Sequence, residues 1–190
     1  MNKKIALLAS LAALATSAFA ETDIWTKTIN NDSNGAWYIQ PDKPKAKYFA
    51  VEPANTVPGD HAFRIKVNKG ANPWDVQASS PVAGAINQGD VIMLIYYARA
   101  AEPAEGGSKL TARIQMNSAP YTSVMDLTSD IGGEWKPHCK HAVSTGTLAE
   151  KKGNVSIHLA AAKQVIELGP VFVFNFGPGY DEKSLKGCDG

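Results

Sequence analysis

Residues 109–116 read KLTARIQM, a stretch in which polar and apolar side chains alternate at every position. The side chains of an extended strand point alternately to opposite faces, so a period of two predicts a β-strand with one buried face. The apolar face carries Leu110, Ala112, Ile114 and Met116. The polar face carries Lys109, Thr111, Arg113 and Gln115.

Similar runs occupy most of the chain from residue 60 onwards. Residues 61–69 and 155–159 alternate in the same way, and residues 91–99 are nearly all apolar, as expected for a central strand. Two further strands are predicted at 165–168 and 171–176, separated by Gly169-Pro170. We expect residues 21–59 to supply one or two outer strands of the fold. Apart from the N-terminal segment, only residues 99–105 and 159–163 suit short helices.

This spacing of short strands and turns predicts an all-β fold, a β-sandwich jelly roll of two antiparallel sheets. An immunoglobulin-like sandwich is the alternative, although the two cysteines lack its inter-sheet spacing. The length of 190 residues fits one domain. Because 19 basic residues balance 18 acidic ones, no charge excess points to nucleic acid as a partner.

The first twenty residues have the pattern of a secretory signal peptide. Lys3 and Lys4 precede an apolar stretch, and Ala18-Phe19-Ala20 has small residues at the cleavage positions. We therefore expect cleavage after Ala20, a mature domain over residues 21–190, and a secreted or periplasmic protein. The apolar stretch is too short for a transmembrane segment.

Export makes a disulfide the favoured state of the two cysteines, Cys139 and Cys188. The competing interpretation is a metal site formed by His138, Cys139 and His141. Residues three apart on a strand point to opposite faces, so the two histidines would diverge.

The chemistry of the polar faces favours sugar binding over catalysis. Arg113 and Gln115 on one strand and His158 on another supply hydrogen-bonding groups, while Trp74 and Tyr121 lie at turns where their rings can stand free. A glycosidase needs two opposed carboxylates, and no such pair falls on adjacent predicted strands. Neither a Gly-x-Ser-x-Gly nor a His-Glu-x-x-His motif occurs. A β-sandwich lyase could still use His158 with a tyrosine and an arginine.

Several short motifs occur in a specific order: NPWDVQ (72–77), GD (89–90), YYARA (96–100), APY (119–121), GEWK (133–136) and IHL (157–159). Together they resemble the family 4/9-type carbohydrate-binding modules found attached to bacterial xylanases, over residues 60–175. The resemblance implies a galactose-binding-like jelly roll that binds xylan or β-glucan in a groove without cleaving it.

Carried over by motif, the resemblance implies that Trp74 and Tyr121 stack on sugar rings and that Gln77 bonds their hydroxyls. It also places His158 in the groove, together with Arg113 and Gln115, and makes Trp135 structural. No cofactor is expected. The family's structural calcium is in doubt here because the last hairpin reads ELGPV (167–171), and any metal ligands are unknown.

We thus expect a monomer that binds a polysaccharide. The alternatives are a β-sandwich polysaccharide lyase or glycoside hydrolase, or a surface adhesion or structural domain.

Overall fold

The computed structural model describes residues 24–30, 37–40, 46–50, 57, 61–185 and 188. The predicted signal peptide, residues 1–20, and its cleavage site lie outside the described residues.

Ten strands, numbered along the chain, form two five-stranded antiparallel sheets in the part of the chain that the structure describes. The front sheet has the order β1 (Tyr38–Gln40), β4 (Gln77–Val82), β9 (Gly153–His158), β6 (Ser108–Met116) and β7 (Ser123–Ile131). The back sheet has the order β2 (Ala46–Ala50), β3 (His61–Val67), β10 (Gln164–Pro178), β5 (Asp90–Glu102) and β8 (Lys136–Val143). Short 3₁₀ turns occur at Ile24–Lys27, Pro73–Asp75 and Glu182–Ser184.

The predicted β-sandwich is confirmed, as are outer strands from residues 21–59, because β1 and β2 each lie at the edge of a sheet. Two local predictions were wrong. Residues 164–178 form one strand, in which the register shifts between Leu168 and Val171, so Gly169-Pro170 makes an irregularity and not a turn. Neither segment that suited a short helix is helical: residues 99–102 continue β5, and residues 159–163 form a turn between β9 and β10.

The core lies between the inner faces of the two sheets. On the front sheet Ala112 pairs with Ile157, which pairs with Ala78 on its other side, and all three are fully buried. On the back sheet Leu94 and Ile166 are equally buried. These are the apolar positions of the alternating runs, so burial of one face explains why those runs form strands.

A buried carboxylate lies on the outer face of the back sheet. Glu167 is fully buried although its position in β10 faces away from the core. Its neighbours in register are Arg64 on β3 and Arg99 on β5. The Arg64 Nε donates to one carboxylate oxygen at 2.6 Å and the Arg99 Nε donates to the other at 2.5 Å. Trp135 stacks over the Arg99 guanidinium at 5.3 Å, which fits the structural role expected for this tryptophan.

The C-terminal segment is attached to the same outer face. The predicted disulfide is confirmed, since Cys139 on β8 is bonded to Cys188. A second contact, from His141 Nδ1 to the Glu182 carboxylate at 2.9 Å, holds the 3₁₀ turn near β8. Because the disulfide joins a strand to the tail and not one sheet to the other, it is unlike that of an immunoglobulin domain.

The alternative of a metal site at β8 is not supported. His138 stacks on Tyr96 in the core, with ring centroids 5.1 Å apart, whereas His141 faces the C-terminal turn. Among the described residues, no group of three or more His, Cys, Asp or Glu side chains is arranged to hold a metal ion. The described helical turns are three or four residues long, and none could span a bilayer.

We predict that replacing both Cys139 and Cys188 with serine lowers the free energy of unfolding by about 4 kcal/mol, as the chain-entropy model gives for a loop of about 50 residues. The loop spans 49 positions in sequence. Urea unfolding of the variant and of the wild type measures the difference, and the wild type in excess reductant should match the variant. Equal unfolding midpoints with and without the disulfide would contradict the prediction.

Candidate functional site

Three rows of side chains cross the outer face of the front sheet, because the strands pair in a fixed register. The first row contains Gln77, His158 and Thr111 on β4, β9 and β6. The second contains Ser79, Ser156 and Arg113, and the third contains Pro81, Asn154 and Gln115. Antiparallel pairing therefore places the polar positions of three strands that are distant in sequence side by side.

A cavity of about 330 Å³ opens on this face. Its lining consists of the six residues that the sequence singled out as a ligand site: Trp74, Gln77, Arg113, Gln115, Tyr121 and His158. The structure thus brings all six together, and their part in binding a ligand stays a prediction. The floor comes from strands β4, β9 and β6, while the two aromatic rings come from loops at its borders.

The first aromatic wall is built by the 3₁₀ turn that carries Trp74. Asp75 closes this turn by accepting a hydrogen bond from the Asn72 backbone N–H at 2.9 Å. This hydrogen bond holds the pKa of the Asp75 carboxyl below its usual value. The Ala160 N–H donates to the Pro73 carbonyl at 2.9 Å, which ties the turn to the end of β9.

The Trp74 ring remains 55% exposed, and its edge approaches the His158 ring with centroids 6.0 Å apart. Gly70 packs so closely beneath the turn that a Cβ there would lie 2.8 Å from the Asp75 carboxylate. The chain needs a glycine at this position because of that close approach.

The second aromatic wall is Tyr121, in the loop between β6 and β7. Its φ is 56°, a left-handed conformation that is uncommon for a residue other than glycine and costs on the order of 1 kcal/mol. A hydrogen bond from its own N–H to the Ser118 carbonyl, at 2.9 Å, holds the turn. The ring is 51% exposed, so the strained backbone presents an aromatic surface at the cavity.

The polar floor is oriented by hydrogen bonds. Ser156 donates to the Gln77 side-chain oxygen, which leaves the Gln77 amide nitrogen as a donor toward the cavity. Arg113 Nε donates to Asp126 at 3.0 Å. Burial alone would raise the pKa of Asp126, but hydrogen bonds from Ser123 and Arg113, with the Arg113 and Lys140 charges, hold it below its usual value.

His158 is a neutral hydrogen-bonding group at neutral pH. It is only 7% exposed, and burial lowers the pKa of its imidazole, as does the nearby Arg113 charge, while Asp126 partly offsets the shift. A neutral imidazole has one nitrogen that donates and one that accepts. Both properties suit contacts with hydroxyl groups.

A second cavity, of about 440 Å³, shares Gln77, Gln115 and Tyr121 with the first and is not indicated by the sequence pattern. It extends over β4 and β1 and is lined in addition by Tyr38, Gln40, Ser79, Pro81, Asn117, Gly153 and Asn154. Asn154 follows Lys152-Gly153, a sequence typical of turns, so the pattern gives no sign that it lies on β9. Tyr38 lies on a strand of three residues, too short for its period to be recognised.

Buried polar atoms without partners mark the floor of this second cavity. Gln115 is 3% exposed and Ser79 is 6% exposed. The side-chain oxygens of Gln115, Ser79 and Asn154 have no hydrogen-bond partner among the described residues. Each unpaired buried polar atom lowers the stability of the fold by about 1–3 kcal/mol.

No known family profile matches the sequence, and no curated protein is similar to it in sequence. Among solved structures, the chain is similar to one described as "CBM4 structure and function", with 20% identity and a TM-score of 0.51, covering 68% of this chain and 94% of the other.

Two further structures also share the fold. The second N-terminal cellulose-binding domain of the Cellulomonas fimi β-1,4-glucanase C has 15% identity and a TM-score of 0.50, with 77% and 97% of the two chains covered. The CBM22-1–GH10 modules of a Clostridium thermocellum xylanase, complexed with xylohexaose, have 13% identity and a TM-score of 0.53, with 79% of this chain but 28% of that one covered. The chain therefore has the β-sandwich fold of carbohydrate-binding modules of the CBM4 and CBM22 types.

We predict that stability falls as the pH is lowered below about 6.5, the ordinary histidine value, partly because of His158. Since burial lowers the pKa of His158 in the folded state, the unfolded chain binds more protons between the folded and unfolded values. This contribution is constant above that window and is lost as the pH falls through it. His138 acts in the same direction, chiefly through burial.

Urea unfolding at several pH values measures this dependence, and His158→Gln should reduce its slope between pH about 6.5 and 5. The carboxylates titrate in both proteins, so the difference between the two curves isolates His158. Parallel curves would contradict the prediction.

Proposed function

We propose that the groove formed by these two cavities binds a polysaccharide chain. The observation that carries the proposal is that two half-exposed aromatic rings, Trp74 and Tyr121, border a floor of oriented amide, imidazole and guanidinium groups. The apolar faces of sugar rings stack on aromatic side chains, and sugar hydroxyls need donors and acceptors at fixed positions. The groove offers both in one place.

Stacking on Trp74 and Tyr121 supplies most of the affinity in this proposal. The Gln77 amide nitrogen donates to a hydroxyl, and neutral His158 donates or accepts. Arg113 has further guanidinium donors besides the nitrogen that Asp126 engages. These side chains set the orientation of the chain through hydrogen bonds.

A neutral β-linked chain, of the xylan or β-glucan type, is the ligand class that we favour. Arg113 is the one charged side chain among the described residues that line the two cavities, and its charge is paired with Asp126. The motifs that resemble family 4/9-type modules support the same class. Of the structures with this fold, one is named for binding cellulose and another contains xylohexaose.

We further propose that the protein binds this chain without hydrolysing it, as an exported monomer. Hydrolysis of a glycosidic bond uses two carboxylates across the scissile bond. The described lining of both cavities includes no carboxylate. The pairing of Cys139 with Cys188 supports an oxidising compartment, secreted or periplasmic.

A polysaccharide lyase is the second candidate, because His158, Tyr121 and Arg113 line the same cavity. In β-elimination the neutral imidazole would take the proton from C5 of a uronic acid. The electron pair forms the C4–C5 double bond, the C4–O bond breaks, and the Tyr121 hydroxyl protonates the leaving oxygen. Arg113 would pair with the uronate carboxylate.

Affinity gels of the mature protein separate these candidates. The gels contain xylan, mixed-linkage β-glucan, a soluble cellulose derivative, mannan and alginate, with reducing ends and unsaturated sugars assayed in parallel. Retardation by a neutral glycan without product supports binding alone. Unsaturated product from alginate supports the lyase, and new reducing ends without unsaturation indicate a hydrolase. No retardation and no product would contradict glycan recognition and favour an adhesion or structural domain.

We predict that Trp74→Ala and Tyr121→Ala each weaken polysaccharide binding by on the order of tenfold to a hundredfold, because each removes a stacking surface. Isothermal titration calorimetry or affinity electrophoresis measures the change. The matched control is Trp25→Ala, since Trp25 is 58% exposed but packs against Phe172 on the back sheet. Loss of affinity in the control, or full affinity in both groove variants, would contradict the assignment of the site.

A further inference from the structure

We propose that Asp126 sets the charge specificity of the groove, so that the groove takes neutral glycans and rejects chains that carry a carboxylate on each sugar. This inference rests on the proposed function and deepens it. Asp126 lies on β7 and lines neither cavity of the groove. It is therefore a positioning residue, which acts through Arg113 and not by contact with the ligand.

The aromatic borders of the groove do not distinguish the glycans in question. Chains of β-1,4-linked xylose, glucose and glucuronic acid share one backbone and differ in the group on C5, which is a hydrogen, a hydroxymethyl or a carboxylate. All three can stack on Trp74 and Tyr121. Discrimination therefore falls to the polar floor, where Arg113 is the one charged side chain among the described residues that line the two cavities.

An unpaired guanidinium at this place would favour the acidic chain, because arginine binds carboxylates through two parallel hydrogen bonds. In the structure the Arg113 Nε already donates to the Asp126 Oδ1 at 3.0 Å. The two residues are direct partners in the register of β6 and β7, so the sheet itself fixes this contact. The terminal nitrogens of Arg113 remain as donors for hydroxyls, with their charge neutralised by Asp126.

Asp126 is held as a carboxylate by its surroundings. The Ser123 hydroxyl donates to the same Oδ1, and the Lys140 Nζ on β8 donates to the Asp126 backbone carbonyl at 2.8 Å. Burial alone would raise the pKa of Asp126, but the Ser123 and Arg113 hydrogen bonds and the Arg113 and Lys140 charges keep it below its usual value. The negative charge is thus present at neutral pH, where a uronate is also ionised.

Asp130 provides a matched control on the same strand. It lies four positions further along β7, about 13 Å away, and pairs with Lys109 on β6 at 3.4 Å. Neither Asp130 nor Lys109 lines the groove. Replacing either aspartate with asparagine removes the same charge beside a β6 cation, but only the partner of Asp126 faces the groove.

The test measures the binding of xylohexaose, cellohexaose and the hexamer of β-1,4-linked glucuronic acid by isothermal titration calorimetry. The wild type should bind a neutral hexamer more tightly than the acidic one. Asp126→Asn should raise affinity for the acidic hexamer on the order of fivefold at low ionic strength, a gain that falls as salt is added. It should slightly lower affinity for the neutral hexamer, since an amide oxygen accepts a weaker hydrogen bond from Arg113 than a carboxylate does. Asp130→Asn should change neither affinity.

Further variants separate this role from a merely structural one. Asp126→Glu keeps the charge and should keep the wild-type preference. In an Arg113→Gln background, Asp126→Asn should no longer raise affinity for the acidic hexamer, because no guanidinium remains to bind it. If Asp126→Asn does not fold, Asp126→Ser replaces it with the same expected change in the ratio of acidic to neutral affinity.

The outcomes distinguish this inference from the proposed function. The inference is overturned if the wild type binds the acidic hexamer as tightly as the neutral ones. It is equally overturned if Asp126→Asn and Asp130→Asn give the same ratio of affinities, or if the gain persists without Arg113. In these cases the groove stands, provided that Trp74→Ala weakens binding. If the wild type binds none of the hexamers, the inference fails with the ligand class on which it rests, and if the gels retain no glycan either, the proposed function fails as well.

Discussion

The pairing of β9 with β4 on one side and with β6 on the other is the constraint on which the site depends. It places Gln77, His158 and Thr111 in one row and Ser79, Ser156 and Arg113 in the next. A shift of one residue would turn His158 into the core and Ile157 into the groove. The burial of Ile157 between the sheets stabilises this pairing register. The register in turn places the polar side chains on the floor of the groove and the apolar ones in the core.

The borders of the groove are held as firmly as its floor. The turn that carries Trp74 is closed by Asp75 and bonded to the end of β9, and Tyr121 is fixed in a left-handed backbone conformation. Because the backbone of both turns is already held, it need not be ordered when a ligand contacts the rings. The left-handed backbone at Tyr121 lowers the stability of the fold, and it occurs at an exposed aromatic ring. Strained backbone conformations are commonly found at functional sites.

Alternation and turn residues in the sequence predict the strands and the face on which each side chain lies. They predict little about burial that depends on contacts between neighbouring strands. Arg113, Gln115 and His158 were assigned to the outer face by their parity, and they lie there. Glu167 has the parity of an exposed residue, yet it is fully buried, because Arg64 and Arg99 from neighbouring strands enclose it. Its charge is stabilised by two charge-assisted hydrogen bonds that only the register reveals. The continuity of β10 and the exact position of β1 could not be predicted, because a bulge and a length of three residues obscure the period of two.

The two outer faces of the sandwich differ in which segments of the chain cover them. On the back sheet, Phe172, Phe174 and Met93 are buried beneath the N-terminal 3₁₀ turn and the disulfide-bonded tail, and Glu167 has charged partners on both sides. On the front sheet, the buried oxygens of Gln115 and Ser79 have no partner among the described residues. A sandwich of this size has a large core, and such a core tolerates a few unpaired polar atoms. The two outer faces therefore differ in their cover: the N-terminal turn and the C-terminal tail pack over the back face, whereas the two cavities open on the front face, which is the face proposed to bind a ligand.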